Sequence, residues 1–412
     1  MSARHILRIV DFRLLLLSRF FFYVSLQIQA VIVGWQIYQI KPDALLLGMI
    51  GLAEALPAIA CSFFSGHVVD QNRPWKIYYS SLLALFLNSL ILFLSVYFSA
   101  SISDYWRLFY LFSAVFVSGV VRSFASPSVF SLIPQVVEKH HLPAASAWSG
   151  TTHQIEMILG PAVGGLIYGF FGAAVAFSLL PILVLCSLLL LPLISEQTRL
   201  YKMNRAREPF VQSLKAGIDF VKNQKVLLSA MSLDMFSVLF GGAVSVLPIF
   251  ADQVFHVGST GLGFLRAAPA IGSVIVALSL AIRPMRVISG KKLLLVVAGF
   301  GFSTLAFALS SNIYLALLFL MLSGAFDGVS MVIRITLLQW LTPEEMRGRV
   351  SSLSSVFITS SNEIGAFESG VAARLMGLVP SVFFGGVMTV LIVFGVWWLV
   401  PDLKKTEIKT EV

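Results

Sequence analysis

Ionisable side chains lie deep inside several of the twelve long apolar stretches of this chain. In chain order, stretches 1, 2, 4, 5, 7, 8, 10 and 11 carry such residues, whereas stretches 3, 6, 9 and 12 carry none. A charge in the middle of a lipid bilayer costs at least about 2.5–3.5 kcal/mol, so such residues normally face water or the protein interior. The pattern therefore separates stretches that line a polar space from stretches that face lipid.

Carboxyl groups near the middle of these stretches are candidates for proton coupling. Glu54 comes near the midplane of the second stretch, and Glu156 lies one helical turn beyond His153 in the fifth. Asp234 and Asp327 lie in the seventh and tenth stretches. A medium of low dielectric constant favours the neutral form of a carboxyl group, which allows reversible proton binding. The alternative is that these four acids are hydrogen-bonded packing residues that never exchange a proton.

Arginines in the same stretches favour a ligand that is anionic or of mixed charge. A guanidinium group can bind two oxygens of a carboxylate or phosphate at once, and this suits Arg19 and Arg266. Arg334 lies on the helical face of Asp327, so we expect pairing among Arg334, Asp327 and Asp234, either as a static bridge or as a switch broken by protonation. Four further residues complete the predicted lining of a substrate cavity: Gln27, His153, Asn362 and Glu363.

The composition requires membrane-spanning helices to position these residues. The chain is 58% apolar and 12% charged, with a mean hydropathy of +0.89. Apolar runs of about 20 residues are long enough to cross a bilayer as helices. The first run, from Phe12, is too long for a cleavable secretory signal. The predicted spans are 12–40, 45–69, 76–98, 107–130, 144–169, 173–194, 226–250, 259–282, 293–310, 313–340, 350–373 and 381–400.

The distribution of charge argues for a membrane rather than a nucleic-acid partner. Although the net charge is +9, most of the 29 Lys and Arg residues fall in alternate loops and in the termini. That bias follows the positive-inside rule and predicts that both termini are cytoplasmic. Cys61 and Cys186 lie inside predicted spans, which argues against a disulfide or a zinc site. No phosphate-binding loop is found, so we expect no cofactor and an ion gradient, most simply of protons, as the energy source.

The two halves of the chain resemble each other. A shift of 205 residues aligns Gly119 with Gly324, Gly160 with Gly365 and Gly165 with Gly370 without a gap. The sequence therefore predicts an all-α integral membrane protein with twelve transmembrane helices, built as two six-helix bundles in parallel repeat. The predicted domains are an N-terminal bundle (1–195), a cytoplasmic linker with an amphipathic helix (196–225), a C-terminal bundle (226–403) and a cytoplasmic tail (404–412).

Residues 66–76, GHVVDQNRPWK, resemble the signature of the loop between helices 2 and 3 in the major facilitator superfamily. The arrangement of that superfamily, with helices 3, 6, 9 and 12 on the outside, matches the charge-free stretches. The resemblance implies that Gly66, Asp70 and Arg73 help to latch the two halves in one state. Arg122 is expected to join Asp70 in a charge network near the cytoplasmic gate. The match is partial, because Gln71 replaces the usual basic residue.

Residues 160–165, GPAVGG, are similar to the signature of exporters in this superfamily. Small residues one turn apart allow tight helix packing, and a proline frees a carbonyl and permits bending. The gating residues of this motif are Gly160, Pro161, Gly164 and Gly165. The run TPEEMRGRV (342–350), with the gating candidate Arg347, resembles the loop between helices 10 and 11 in the bacterial siderophore (enterobactin) exporter branch. The stretches 233–251, 261–272 and 361–370 resemble the same branch.

These patterns together predict a proton-coupled exporter of the bacterial cytoplasmic (inner) membrane that works by alternating access on a siderophore or similar metabolite. A multidrug or macrolide antiporter is the close alternative, and a uniporter or importer with structural acids is the second. An enzyme using His153 and Glu156 as an acid/base pair is disfavoured, because no nucleophile or metal ligand accompanies them. The expected partners are the substrate and the lipid bilayer. We expect a monomer that can work with a periplasmic or outer-membrane export partner.

Overall fold

The structure is a computed structural model that describes residues 6–138, 141–200, 210–283, 285 and 287–409, except for the side chains of some residues inside helices. Nearly all of the described chain is helical. The long helices are α1 (Val10–Ile40), α2 (Ala44–Gln71), α3 (Pro74–Tyr97), α4 (Asp104–Val136), α5 (Leu142–Leu190), α7 (Phe210–Asn223), α8 (Lys225–Gly241), α10 (Gly258–Ile282), α11 (Gly290–Ala308), α12 (Ile313–Leu341), α13 (Glu344–Met376) and α14 (Leu378–Leu399).

Short elements connect or extend these helices. They are the helices α6 (Glu196–Leu200), α9 (Leu247–Ile249) and α15 (Pro401–Lys405), the strands β1 (Val287–Ser289) and β2 (Glu407–Lys409), the 3₁₀ helices Ile6–Arg8, Ser99–Ser101, Leu191–Leu193 and Ala243–Val246, and the π-helix Phe250–Val254.

The predicted spans agree with the helices of the structure. Ten helical stretches are long and apolar enough to cross a membrane, and one of them, Ala144–Leu193, contains two predicted spans. Those two spans are separated at Gly172, where φ is +81° and the chain leaves the helical conformation. Helix α13 corresponds to the eleventh predicted span, so all twelve have a counterpart. Two helices extend six residues beyond their predicted spans: α4 continues to Val136 rather than 130, and α13 begins at Glu344 rather than 350.

The seventh predicted span is not the continuous helix that the sequence suggested for 226–250. Helix α8 ends at Gly241, and Gly242 has φ −79° and ψ 81°, outside the helical region. The Ser369 hydroxyl on α13 donates a hydrogen bond to the carbonyl of Gly242 at 2.8 Å, which satisfies an acceptor that the break exposes. Two consecutive glycines make the break inexpensive, because glycine has low helix propensity.

Contacts divide the chain into two units. Unit 1 comprises Met1–Pro42, Ala53–Ala206 and Gly258–Gly263, so it holds α1, most of α2, and α3 to α6. Its apolar core is formed where α1, α3, α4 and α5 meet, with Phe22, Tyr78, Leu82 and Leu132 almost fully buried. The burial of these large side chains fixes the faces of the helices that remain available for polar residues.

Unit 2 comprises Asp43–Leu52, Arg207–Val257 and Phe264–Val412. One core cluster joins α8, α11 and α12 with the end of the chain, and it includes Leu293, Ile333, Leu403 and Ile408. The buried Ile408 lies in β2, which pairs antiparallel with β1 in the register Ile288 to Ile408. The predicted tail is thus partly an ordered strand. The domain boundaries drawn from the sequence stay a prediction.

Helix α7 lies in the segment predicted as a linker and packs its described apolar residues on one side. Ile218 and Val221 pack with Leu227 of α8 and with Val350 and Leu353 of α13, whereas Asp219 is exposed. The apolar residues therefore lie on one face of α7, and that face is covered by unit 2.

Glycines that the 205-residue shift aligned have equivalent neighbours in the two units. In unit 1, a Cβ atom added to Gly119 on α4 would lie 2.5 Å from the carbonyl oxygen of Glu54 on α2. In unit 2, a Cβ on Gly324 of α12 would collide with the carbonyl of Pro269 on α10. Each unit thus brings two helix backbones together at a glycine in the same relative position, as expected of repeats.

The pair Gly165 and Gly370 shows the same equivalence. A Cβ on Gly165 of α5 would lie 2.5 Å from the Cα atom of Gly263 in unit 1. A Cβ on Gly370 of α13 would lie 2.6 Å from the Cα atom of Gly48 in unit 2. Backbone contact between helices is possible at these positions only without side chains.

Candidate functional site

A balanced ion pair joins α2 and α4 inside unit 1. The Nη1 atom of Arg122 lies 2.8 Å from Oε1 of Glu54, and the two side chains are 30% and 22% exposed. The network predicted between Arg122 and Asp70 is not described, because the side chain of Asp70 lies outside the described residues. Among the described residues, Arg122 has an acidic partner on α2 deeper in the span, Glu54. One positive and one negative charge compensate each other at this site.

A second acid of unit 1 is fully buried on α5. Glu156 has no exposed side-chain surface, and its Oε2 lies 3.2 Å from Nδ1 of His153, one turn earlier. Its Oε1 atom has no hydrogen-bond partner among the described residues. His153 itself is 47% exposed. The pair therefore connects a buried carboxyl group with an accessible imidazole.

Arg19 belongs to a cluster on α1, α4 and α5. Its Nη1 donates a hydrogen bond to the carbonyl of Ser149 at 3.2 Å, and its guanidinium carbon lies 5.3 Å from the centre of the Tyr23 ring. The hydroxyl groups of Tyr23 and Ser126 are 2.9 Å apart. The ring of Tyr23 also meets that of His153 edge to face, with centres 5.8 Å apart.

The three charged residues predicted to pair in the C-terminal half come together in unit 2. The guanidinium of Arg334 on α12 contacts the carboxylate of Asp234 on α8, and their side chains are only 14% and 9% exposed. Nη2 of Arg334 lies 3.6 Å from Oδ1 of Asp327, whose side chain is 50% exposed. One guanidinium therefore serves two carboxylates. We call these residues the unit 2 triad.

The positions of the remaining predicted cavity residues do not show whether these residues line a cavity. In unit 1, the amide of Gln27 contacts the sulfur of Met157 on α5. In unit 2, Arg266 and Glu363 are half-buried on α10 and α13, and Asn362 is exposed. A cavity role for these residues stays a prediction.

The residues of the motifs GPAVGG and GHVVDQNRPWK differ in how closely they pack against other helices. A Cβ on Gly160 would collide with Gln27 of α1, and one on Gly164 would lie 3.2 Å from Ile28, so the exporter-like motif packs α5 closely on α1. Pro161 is buried inside α5. By contrast, a Cβ on Gly66 would meet no described atom within 4 Å, so the described residues show no close helix contact at that position.

The latch itself stays a prediction. Arg73 is the residue before α3 and is half-buried, whereas the side chain of Arg347, like that of Asp70, lies outside the described residues.

The sequence reasoning missed two features of these sites. Tyr23 and Ser126 were not singled out, because one aromatic and one hydroxyl residue in apolar helices give no signal alone. Tyr23 lies four residues, about one turn, after Arg19, and that spacing would have placed the two on the same side of α1. The break after Gly241 could have been found from the Gly-Gly pair followed by Pro248. Over the part of the chain that the structure describes, no cluster of His, Cys, Asp or Glu could hold a metal ion.

Solved structures of membrane transporters share this fold. A peptide-transporter-family protein bound to 5-aminolevulinic acid matches with a TM-score of 0.76, at 11% identity over 96% of both chains. A bacterial homologue of the iron transporter ferroportin in an inward-facing state has a TM-score of 0.69, at 20% identity over 94% of this chain and 98% of its own. The xylose transporter XylE of E. coli has a TM-score of 0.66, at 14% identity over 97% of both chains. The fold is therefore that of the major facilitator superfamily, in a multi-pass membrane protein.

Sequence comparison identifies the family within that superfamily. Residues 2–410 match the family described as "Transmembrane secretion effector", and the chain belongs to that family. The enterobactin exporter EntS of Escherichia coli O1:K1 is 29% identical over 276 residues, which cover 64% of this chain and 63% of that protein. The corresponding protein of Shigella boydii serotype 18 has the same identity and coverage. The match thus spans less than two thirds of the length of these relatives.

Proposed function

We propose that this chain is a proton-coupled secondary exporter of a small molecule, most simply a siderophore or similar metabolite, that works by alternating access. The single observation that carries the coupling is the unit 2 triad, in which one guanidinium serves two carboxylates. Family membership supports transport, and the similarity to the enterobactin exporter together with the GPAVGG motif supports export.

The triad supports proton coupling through its charge. With both acids ionised, Asp234, Asp327 and Arg334 carry a net charge of −1 inside membrane-spanning helices. Uncompensated charge is costly in that medium, so binding of one proton is favoured. Because Asp327 is half-exposed while Asp234 is buried against Arg334, Asp327 is the acid that water can reach. In this proposal Asp327 binds the proton. Binding or release of that proton changes the ion pair between Asp327 and Arg334.

The exporter resides in the bacterial cytoplasmic (inner) membrane with both termini in the cytoplasm, as the distribution of Lys and Arg favours. It is a monomer that draws energy from the proton gradient and needs no cofactor. Its partners are the substrate, the lipid bilayer and, for passage across an outer membrane, an export protein of the periplasm or outer membrane. It has no nucleic-acid partner and catalyses no reaction.

The first test compares iron chelators inside and outside a deletion strain and its complemented parent under iron limitation. We expect chelator to accumulate inside the deletion strain and to decrease outside. An unchanged chelator profile combined with increased drug susceptibility would replace this proposal by a multidrug or macrolide exporter. An unchanged profile with unchanged susceptibility would favour a uniporter or importer.

Proton coupling is tested separately in everted membrane vesicles. We expect an acidic interior to accelerate uptake of the exported chelator by the wild-type chain and by Asp219→Asn, whose acid is exposed on α7. Asp327→Asn should remove the response to the gradient while it retains downhill movement of substrate. Uptake that ignores the gradient in the wild-type chain would refute proton coupling.

A further inference from the structure

The strongest unassigned feature of unit 1 is the environment of Arg19. Within the described residues, no carboxylate forms an ion pair with Arg19, whereas Arg122 is paired with Glu54. The described contacts of Arg19 are one hydrogen bond to the carbonyl of Ser149 and the ring of Tyr23. A guanidinium has five N–H donors, so most of them have no described acceptor in the protein.

The depth of Arg19 makes an unpaired guanidinium significant. At a rise of about 1.5 Å per residue, Arg19 lies about 14 Å from the start of α1, and His153 lies about 17 Å from the start of α5. Ser126 lies about 15 Å from the end of α4, so three helices bring the cluster to one level. A positive charge at such a depth is costly unless it faces water or a counter-charge. An anion bound beside Arg19 would supply that counter-charge.

The groups around Arg19 indicate what kind of anion fits. Tyr23 and His153 meet edge to face, so an aromatic surface adjoins the guanidinium, with 5.8 Å between the two ring centres. The hydroxyls of Tyr23 and Ser126 lie 2.9 Å apart beside it and can donate to or accept from a ligand hydroxyl. Aromatic rings pack favourably edge to face or offset on another ring.

There is also room for a ligand. The His153 side chain is 47% exposed. Gly150, one turn earlier on the same face of α5, has no described atom within 4 Å of the position that a Cβ would occupy. The guanidinium of Arg19 donates a hydrogen bond to the carbonyl of Ser149, the residue before Gly150. The open surface at Gly150 and the exposed imidazole therefore lie beside that guanidinium.

We propose that Arg19, Tyr23, Ser126 and His153 form a cargo subsite for a hydroxylated aromatic oxyanion, such as a hydroxybenzoate group. Arg19 binds the oxyanion, His153 and Tyr23 contact the ring, and the Tyr23–Ser126 pair binds the ring hydroxyl. The inference rests on the proposed function and names the substrate class of that exporter. All four residues lie in unit 1.

The test measures binding of radiolabelled salicylate to the purified full chain in lipid nanodiscs, by scintillation proximity. Arg19→Gln should weaken binding at least about tenfold, because it removes a charge-assisted contact. Arg13→Gln is the matched control, since Arg13 is exposed on the same helix, and it should leave binding unchanged. Arg19→Lys keeps the charge but removes the planar guanidinium group, so it should weaken salicylate binding several-fold. This variant tests the role of Arg19 if Arg19→Gln does not fold.

Competing ligands separate the parts of the proposal. Benzoate should displace salicylate, cyclohexanecarboxylate should displace it less well, and uncharged benzamide should fail to displace it. Equal competition by benzoate and cyclohexanecarboxylate would contradict the proposed recognition of an aromatic ring. Effective competition by benzamide would contradict the proposed recognition of an anion. If Arg19→Gln, Arg19→Lys and Arg13→Gln all bind like the wild-type chain, the subsite is overturned.

The outcome is independent of the export assay. Salicylate binding that requires Arg19, together with an unchanged chelator profile, would retain the subsite and remove the siderophore as cargo. Chelator export that proceeds normally in a chain that does not bind salicylate would retain the exporter and overturn the subsite.

Discussion

Replacing Arg334 tests whether the unit 2 triad is assembled as the structure shows it. Arg334→Met keeps most of the length of the side chain and leaves Asp234 as a buried carboxylate without its guanidinium. Breaking a buried pair by removal of one partner costs about 3–5 kcal/mol, and Asp234 and Arg334 are buried enough, at 9% and 14% exposure, for that range to apply. Asp327 is 50% exposed and 3.6 Å from Arg334, so this contact contributes about 1 kcal/mol or less.

These magnitudes give an order of stability that thermal unfolding can measure. A loss of about 3–5 kcal/mol lowers the melting midpoint by roughly 6–20 °C for a unit of 150–250 residues. Arg334→Met and Asp234→Asn should fall in this range, whereas Asp327→Asn should change the midpoint by a few degrees at most. Asp234→Asn combined with Arg334→Met should recover most of the loss, because no uncompensated charge stays buried.

The assay is tryptophan fluorescence of the purified chain in detergent during heating, with Asp219→Asn as an exposed acidic control. The reasoning is wrong if Asp327→Asn lowers the midpoint as much as Asp234→Asn. It is also wrong if the double variant is no more stable than Arg334→Met, since the charges would then not be coupled.

Three further changes test the packing of the two units through the same melting midpoint. Glu54→Gln should lower stability by about 1–3 kcal/mol, because it removes the carboxylate that lies 2.8 Å from Arg122. Gly165→Val should cost about 1–3 kcal/mol and slow transport, because a Cβ there would lie 2.5 Å from Gly263 and force two helices apart. Ile408→Asp should destabilise the chain by about 2–4 kcal/mol, because Ile408 is 3% exposed in the core that β2 joins.

Each of these changes has a matched control. Asp104→Asn removes an exposed acid that pairs with Arg107. It should lower the free energy of unfolding by less than about 1 kcal/mol. Gly395→Val on α14 adds a side chain where no described atom lies within 4 Å, and Glu407→Gln changes an exposed neighbour of Ile408. If a control lowers the midpoint as much as its partner, the contact assigned to that partner does not account for the effect.

Part of the site could be predicted from the sequence. Asp327 and Arg334 are seven residues apart, so a helix places them on one face, and the cost of an unpaired charge in a membrane made pairing with Asp234 the reasonable expectation. The glycines of GPAVGG predicted close packing for a similar reason, since small residues one turn apart leave a groove. These arguments need only helical geometry and the bilayer, both of which act on nearby residues.

Other pairings could not be predicted, because they depend on which helices are neighbours and how each is rotated. The sequence favoured Asp70 as the partner of Arg122, whereas the described partner is Glu54 on the same helix, about four turns earlier. The cluster of Arg19 with Tyr23 and His153 requires α1 and α5 to pack with particular faces together.

The sequence by itself determined the class of protein, the positions of its long apolar stretches and the resemblance between its two halves, because hydrophobic length and residue spacing are properties of the chain alone. Only the tertiary structure decided which charges neutralise each other, that Arg19 has no carboxylate partner among the described residues, where the seventh span breaks, and that residues Glu407–Lys409 form a strand. Those outcomes are set by the packing of large apolar side chains such as Phe22 and Ile333, which fixes the rotation of each helix and thereby the direction of its polar residues.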